Sequence, residues 1–155
     1  MSHVSYIDIE VNDLQALAEA ARSCGLEFVE NQTTIRWYGR WVKDYHGDDA
    51  AYKHGVSPSQ YGHSTHALRV PDDPNAYEVG ILDNGDGTYK IYYDHYGPGK
   101  AISDRIGRYG EKLKQQYVKA KAVQALAKKG FTLKSEENLD SGTLKVTLKG
   151  QVSLA

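Results

Sequence analysis

The feature that most constrains the fold is a pair of alternating apolar runs joined by a glycine-rich turn. Residues 77–82 (YEVGIL) and 89–94 (YKIYYD) mix large apolar and polar side chains in the alternation typical of β-strands. Between them, residues 83–88 (DNGDGT) contain an Asn-Gly dipeptide, which favours tight hairpins because both residues tolerate positive φ. These residues therefore predict an antiparallel hairpin, against which further antiparallel strands can pair.

Periodicity on either side of this hairpin predicts two helices. A helix capped by Asn12 and ended by Gly25 places Cys24 on its core-facing side. A second helical region begins near Lys100, is weakened by two glycines in its first turns, and is well defined from Glu111 onwards. Its core-facing side is predicted to contain Ile102, Ile106, Tyr109, Leu113, Gln116 or its neighbour Tyr117, Ala120, Val123 and Ala127.

Further strands complete a predicted α+β fold. They are expected at residues 4–9, 26–30, 33–37, 67–70, 131–134 and 143–148, and 26–30 is expected to pair with 33–37. Two helices on one face of a mainly antiparallel sheet make an α+β architecture. The strand–helix–strand rhythm of both halves fits a ferredoxin-like or related layout.

The chain has 155 residues, which is the size of one domain. Cys24 is the single cysteine, so no internal disulfide can form, as fits a reducing cytosol. No apolar run approaches the roughly 20 residues that span a bilayer, and no secretory signal pattern is present. We therefore expect a cytoplasmic protein with no membrane partner.

Residues 38–66 lack a clean period and are rich in tyrosine, tryptophan and histidine. A long irregular segment within a domain is usually functional or disordered, and this aromatic content argues against disorder. We therefore interpret residues 38–66 as an ordered surface insertion. Its rings either stack on a ligand or form a small core of the insertion itself.

Positive charge is concentrated in residues 100–129, where nine Lys or Arg and two acids give a net charge of +7. The rest of the chain then carries −8, because the total is −1. Such a segment is either a solvated helix face or a surface for phosphate groups. The preceding turn, residues 97–99 (GPG), is either purely structural or offers backbone N–H groups to an anion.

Aromatic rings and cations together suggest a site that stacks on bases and neutralises phosphates. The candidate ligand-binding residues are Arg36, Trp37, Arg40, Trp41, Tyr61, His63, His66, Arg69, Lys100, Arg105 and Arg108. Tyr38, Lys43 and Tyr45 would extend the same surface.

His63 and His66 lie three positions apart beside the histidine-rich insertion. Two histidines supply only part of a metal site, which needs three or four ligands. The insertion residues that would complete one are His46, Asp48, Asp49 and His54. Three roles stay open for the pair: polar contacts that pin the insertion, contact with a ligand, or metal binding.

Several of these stretches resemble an uncharacterised family, domain of unknown function 1257, of plastids, cyanobacteria and tailed phages. The similar stretches are residues 1–3 with the first strand, 61–63 (YGH), 66–71 (HALRVP), 77–80 (YEVG), the Gly-Asp-Gly hairpin, and 117–131 leading into the final strands. HALRVP is most similar to phage members, and residues 38–60 resemble the family least. The resemblance implies a cytosolic α+β protein and supplies no activity, catalytic residue or cofactor.

We therefore expect a non-enzymatic binding protein for a phosphate-bearing partner, either a nucleotide-like small molecule or single-stranded nucleic acid, with no cofactor. The phage-like resemblance suggests that it modulates host machinery. The alternative is a protein–protein adaptor or homo-oligomer, since Tyr, Trp and Arg dominate such interfaces. A third hypothesis is a metal-dependent hydrolase that uses His63 and His66. No catalytic residue is assigned, because no serine lies in a G-x-S-x-G elbow.

Overall fold

Five antiparallel strands form the central sheet of the protein, which a computed structural model describes over residues 1–150. The strands are β1 (Val4–Val11), β2 (Glu27–Val29), β3 (His66–Arg69), β4 (Val79–Asp83) and β5 (Tyr89–Asp94). Their order across the sheet is β1-β5-β4-β3-β2, and every neighbouring pair is antiparallel. The two edge strands, β1 and β2, therefore run in the same direction, and the connection between them crosses the whole sheet.

Three helices cover one face of this sheet: α1 (Leu14–Ser23), α2 (Lys100–Ile106) and α3 (Glu111–Ala127). The carboxylate of Asp13 caps α1 by accepting the Ala16 N–H at 3.0 Å, so the cap is one residue later than the predicted Asn12. Asn12 instead accepts from the Tyr117 hydroxyl on α3 at 3.2 Å. This contact joins the start of α1 to α3 above the sheet.

The predicted helical region after residue 100 is interrupted between α2 and α3. Gly110 precedes α3 with φ +77°, and a Cβ at this position would clash with the Ile7 side chain on β1. The interruption turns Tyr109 outwards, where 63% of its surface is exposed, so its predicted place on the core-facing side is wrong. Tyr117 is buried against the main core. Of the two residues predicted as alternatives for this core-facing position, Gln116 and Tyr117, the structure therefore places Tyr117 there.

The main core lies between the helices and the sheet. Its fully buried side chains include Ile7, Val11, Leu17, Leu68, Ile81, Ile91, Ile102, Ile106 and Leu113. Cys24 packs against this core, half-buried, and burial raises the pKa of its thiol. An inert thiol, as predicted, follows from that environment.

A second core lies on the opposite face of the sheet, beneath the aromatic insertion. It consists of Val4, Ile35, Ala51, Val56, Tyr61, Ala67 and Tyr92. The Tyr92 ring lies directly over Gly80 on β4, where a Cβ would come within 2.5 Å of a ring carbon. The insertion is thus packed on the sheet, and the two faces of the sheet are covered by different kinds of structure.

The insertion is mostly irregular, with single 3₁₀ turns at Ala51–His54 and Pro58–Gln60. The prediction of a strand at residues 33–37 is wrong, because β2 pairs with β3 instead. Residues 33–37 make only an isolated bridge, between Thr34 and His63. This bridge closes the insertion on itself over the second core.

The last two strands, β6 (Thr132–Asn138) and β7 (Leu144–Lys149), form a hairpin outside the main sheet. The α+β class is confirmed, whereas the ferredoxin-like detail is not confirmed by this strand order. Three helices lie where two were predicted, since the second region is divided. Within residues 1–150, none of the helices has the length and apolarity to cross a membrane.

Candidate functional site

The tryptophans of the insertion pack edge-on against a buried tyrosine. The ring centroids of Trp37 and Trp41 lie 5.7 and 6.2 Å from that of Tyr61, which is only 5% exposed. Tyr61 in turn stacks on Tyr92 of the sheet at 6.1 Å. The inner edges of these rings contribute to the second core, whereas both tryptophans keep part of their surface exposed.

Two cations lie over rings on the outer side of this cluster. The Arg40 guanidinium is 5.7 Å from the centroid of the Tyr38 ring, and the Lys43 ammonium is 5.7 Å from that of Trp41. Neither cation has a carboxylate within ion-pair distance in the part of the chain that the structure describes. We call Tyr38, Arg40, Trp41 and Lys43 the stacking face.

Four of the other predicted cations are bonded within the protein. Arg36 pairs with Glu78 at 3.3 Å, and Arg69 pairs with Glu27 at 2.9 Å. The remaining two bonds join Lys100 to Asp104 at 2.9 Å and Arg105 to the Ala101 carbonyl at 2.8 Å. Lys100 is 76% exposed, so its pair with Asp104 is a weak one.

The two histidines of the HxxH pair occupy different environments. His66 is buried, and its Nδ1 accepts the Asn31 N–H at 2.9 Å, which holds the loop after β2 in place. His63 is exposed, and its backbone carbonyl accepts the Tyr92 hydroxyl at 2.5 Å. Across residues 1–150, no three His, Cys, Asp or Glu side chains converge as a metal site would need. Of the three roles considered for this pair, these contacts therefore support the first, in which polar contacts hold the insertion in place.

Arg108 is the centre of a polar network that sequence reasoning missed. Its guanidinium donates to Asp49 at 2.8 Å, to the Tyr45 hydroxyl at 2.9 Å and to His95 Nε2 at 3.1 Å. Tyr45 also donates its hydroxyl proton to Asp49. Burial raises the pKa of the Asp49 carboxyl, but hydrogen bonds from Tyr45 and Arg108 outweigh it and lower that pKa. The insertion is thereby joined to the loop between α2 and α3.

The direction of the hydrogen bonds in this network follows from Arg108, which can only donate. His95 Nε2 must accept, so the neutral ring carries its proton on Nδ1 and donates to Ser5 Oγ at 2.5 Å. Ser5 then donates to the His3 carbonyl at 3.3 Å. Burial, followed by the charge of Arg108, lowers the pKa of His95 to about 4. Ser5 is fully buried and accepts from histidine, so this pair is not an activated nucleophile.

A buried carboxylate, Asp94, joins three further segments. It accepts backbone N–H groups from His3 at 3.1 Å, Tyr38 at 3.2 Å and Tyr96 at 3.1 Å. Burial raises the pKa of Asp94, although these hydrogen bonds act in the opposite direction. At Gly99 a Cβ would collide with the Asp94 carbonyl, so the GPG turn is packed against the sheet as a structural turn.

A recess of about 430 Å³ opens where the insertion meets the loop between α2 and α3. Its walls contain three tyrosines and three aspartates, which are Tyr6, Tyr45, Tyr109, Asp8, Asp48 and Asp49. The sequence predicted a binding site of aromatic rings and cations, whereas in this recess carboxylates outnumber the one arginine, Arg108, that lies behind Asp49.

The residues missed by sequence reasoning carry little local signal. Ser5, Asp94 and His95 lie in or beside strands, and Asp49 was considered only as a metal ligand, among other polar residues of the insertion. The one usable hint was Tyr45, already considered as part of an aromatic surface. Its partner Arg108 is 63 positions away.

Comparison with known proteins gives one match. No curated protein and no solved structure matches the chain. The sequence model of a family described as "Protein of unknown function (DUF1257)" matches residues 49–147, well over half of the chain. The matched region contains Asp49, Asp94, His95 and Arg108, whereas the stacking face precedes it. The chain therefore belongs to the DUF1257 family of proteins of unknown function.

Proposed function

We propose that this chain is a non-enzymatic binding protein whose stacking face holds a phosphate-bearing partner. The observation that carries the proposal is the pairing of Arg40 with Tyr38 and of Lys43 with Trp41, in which each cation lies on a ring and lacks a carboxylate partner among residues 1–150. Rings that stack on bases, beside cations that neutralise phosphates, are the usual combination for single strands.

Single-stranded nucleic acid is the partner that we favour over a free nucleotide. A small nucleotide is usually held in a concave pocket that buries most of its surface. The recess that contains Tyr45, two positions after Lys43, is lined by aspartates, which repel phosphate. Tyr38 and Trp41, which lie three positions apart and are both partly exposed, instead suit successive bases of an extended strand.

Other predicted cations can extend this face. Arg36 is half-exposed next to Trp37, and its pair with Glu78 leaves part of the guanidinium accessible. Lys100 is highly exposed, so a phosphate can compete with Asp104 for its ammonium group at little cost. Arg105 and Arg108 are engaged with interior partners, and we assign them a structural role within this proposal.

Fluorescence anisotropy with a labelled oligothymidylate and a panel of labelled nucleotides tests the proposal. We expect the oligonucleotide to bind, the single nucleotides to bind much more weakly, and the affinity to fall steeply as salt is added, because bound cations are released from the strand. Absence of binding at low salt, or binding that salt does not change, would contradict it.

A protein–protein adaptor is the second candidate, since the stacking face is rich in the residue types that dominate interface hot spots. Light scattering after size-exclusion chromatography separates the two proposals. An adaptor or homo-oligomer forms a stable complex that ignores oligonucleotides. A cytoplasmic location and the modulation of host machinery by a phage protein remain predictions attached to the first proposal.

A further inference from the structure

The acidic recess between the insertion and the loop after α2 is a second candidate binding site, separate from the stacking face. Tyr6 and Asp8 enter it from β1, two positions apart on the same side of that strand. Asp48 enters it from the insertion, and Tyr109 from the loop between α2 and α3. Three separate parts of the fold therefore converge on one cavity of about 430 Å³.

The aromatic walls of the recess are arranged for contact with a cation. The Tyr6 ring stacks on that of His54 with centroids 4.7 Å apart and planes 11° apart, which fixes its orientation. Tyr109 is highly exposed, and its ring already faces the Arg108 guanidinium at 4.8 Å. Arg108 therefore occupies one face of the Tyr109 ring, and the other face is the one that can contact an organic cation.

The charges of the recess are not balanced. Asp49 is neutralised by Arg108, but neither Asp8 nor Asp48 has a Lys or Arg within ion-pair distance in residues 1–150. Lys90 lies with Asp8 along the next groove of the surface and still leaves that carboxylate unpaired. The Asp8 charge also helps, after burial, to raise the pKa of Tyr6. Two uncompensated carboxylates therefore face a ring-lined cavity.

The side chains that line the recess exclude one ligand class and favour another. Within the described part of the chain, no three His, Cys, Asp or Glu side chains come close enough together to ligate a metal ion. Carboxylates from β1 and from the insertion, in a cavity that tyrosine rings also line, suit a longer cation, whose methylene groups contact the rings while its ammonium groups reach the acids.

We propose that this recess binds an alkylammonium group, supplied by a free polyamine or by a lysine side chain of a partner. The ammonium donates to Asp8 and Asp48, and the methylene chain lies between Tyr6 and Tyr109. Asp49 remains paired with Arg108 and holds the insertion in position. The site is independent of the stacking face, so either proposal can fail without the other.

Chemical-shift titration of the full chain by NMR tests the inference, with putrescine as the diamine probe and Nα-acetyl-lysine methylamide as the side-chain probe. We expect both probes to shift the backbone amides of Asp8, Asp48 and Tyr109. Putrescine binds more tightly if one molecule reaches both carboxylates, which indicates a polyamine ligand. Equal affinity indicates a lysine side chain.

The carboxylate variants are chosen at exposed positions, Asp8, Asp48 and Asp72. Asp8→Asn and Asp48→Asn each weaken putrescine binding about three- to fivefold, and together about tenfold, because each removes one exposed ion pair. Asp72→Asn, a matched charge loss in the turn after β3, leaves the affinity unchanged. Lys90→Gln strengthens binding, since it removes a cation that lines the neighbouring groove together with Asp8.

Three results would overturn the inference. The first is a lack of any shift with either probe at millimolar concentration. The second is equal binding by the wild type and by the Asp8→Asn/Asp48→Asn variant. The third is an equal response to 1,4-butanediol, which has the length of putrescine without its charge.

Discussion

The Arg108 guanidinium donates to the Asp49 carboxylate at 2.8 Å, although the two residues are 59 positions apart in the chain. The side chains are 30% and 19% exposed, so the pair is partly shielded from water. It joins the aromatic insertion on one side of the sheet to the loop between two helices on the other. The position of the insertion, and of any site on it, depends on this ion pair.

Replacing Arg108 with methionine should lower the free energy of unfolding by about 1.5–3 kcal/mol, because the partly buried Asp49 carboxylate loses its partner. Chemical denaturation measures the change. Lys100→Met, which breaks the exposed pair with Asp104, is the control and should cost less than about 0.5 kcal/mol. A double-mutant cycle with Asp49→Asn should show coupling between the two positions, and strictly additive losses would contradict the prediction.

Acidification should destabilise the protein through His95. Its pKa is lowered to about 4 by burial and by Arg108, so between pH 6.5 and 4 the unfolded state binds more protons than the folded state. The stability that the neutral His95 ring contributes to the folded state is complete above pH 6.5. It is lost as the pH falls from 6.5 to 4. We expect it to amount to at most about 2 kcal/mol, since the ring is only half-buried and solvent screens it.

The measurement compares unfolding curves at pH 7 and pH 4.5. His95→Gln should lose less stability on acidification than the wild type does, whereas the exposed His63→Gln should behave like the wild type. In proton NMR the His95 ring should remain neutral at pH 5.5. A His95 that titrates near its ordinary pKa would refute the prediction.

The stacked tyrosines Tyr61 and Tyr92 should respond in opposite directions to loss of the hydroxyl. The Tyr92 hydroxyl donates to the His63 carbonyl at 2.5 Å, so Tyr92→Phe should cost about 1–1.5 kcal/mol. The buried Tyr61 hydroxyl lies near the Tyr52 backbone but completes no hydrogen bond within residues 1–150, and burial raises its pKa to about 12. Tyr61→Phe should therefore be neutral or stabilising.

Thermal and chemical unfolding of the two phenylalanine variants provides the test, and each serves as the control for the other. The chemical change is identical and the rings are neighbours, so differences in packing are small. Equal destabilisation by both would mean that Tyr61 has a hydrogen-bond partner.

Removing the two cations of the stacking face should weaken binding to single strands and flatten its salt dependence. For Arg40→Ala/Lys43→Ala, the slope of log K against log salt should become shallower by about 1.4, at about 0.7 per lost phosphate contact. Lys128→Ala/Lys129→Ala removes equal charge just beyond the far end of α3 and should leave binding nearly unchanged. Equal effects of the two double variants would point to non-specific attraction.

Local features of the fold were accessible from the sequence. Asn84-Gly85 predicted the β4–β5 hairpin because the turn dictates its own geometry over a few residues. Gly25 after an amphipathic stretch predicted α1 and the core-facing Cys24 for the same reason. The aromatic segment 38–66 was also recognisable as mostly irregular, since it lacks the period of either a helix or a strand.

The sequence was insufficient wherever contacts between remote segments determine the local structure. Residues 33–37 have the composition of a strand, but β2 finds a better partner in β3, a choice made by the whole sheet. Tyr109 fits a helical period, yet Gly110 lies against Ile7 and breaks the helix there. Both outcomes depend on contacts between segments that are remote in the chain.

The sequence by itself determined the α+β class, the hairpin, the irregular aromatic segment and the residue types available for binding. Only the tertiary structure decided which of these residues come into contact. Arg108 faces Asp49 rather than solvent, Tyr61 and His66 are buried, and carboxylates rather than cations line the recess beside the insertion. The physical reason is that charges act through distances in space, and partners dozens of positions apart leave no periodic trace in the chain.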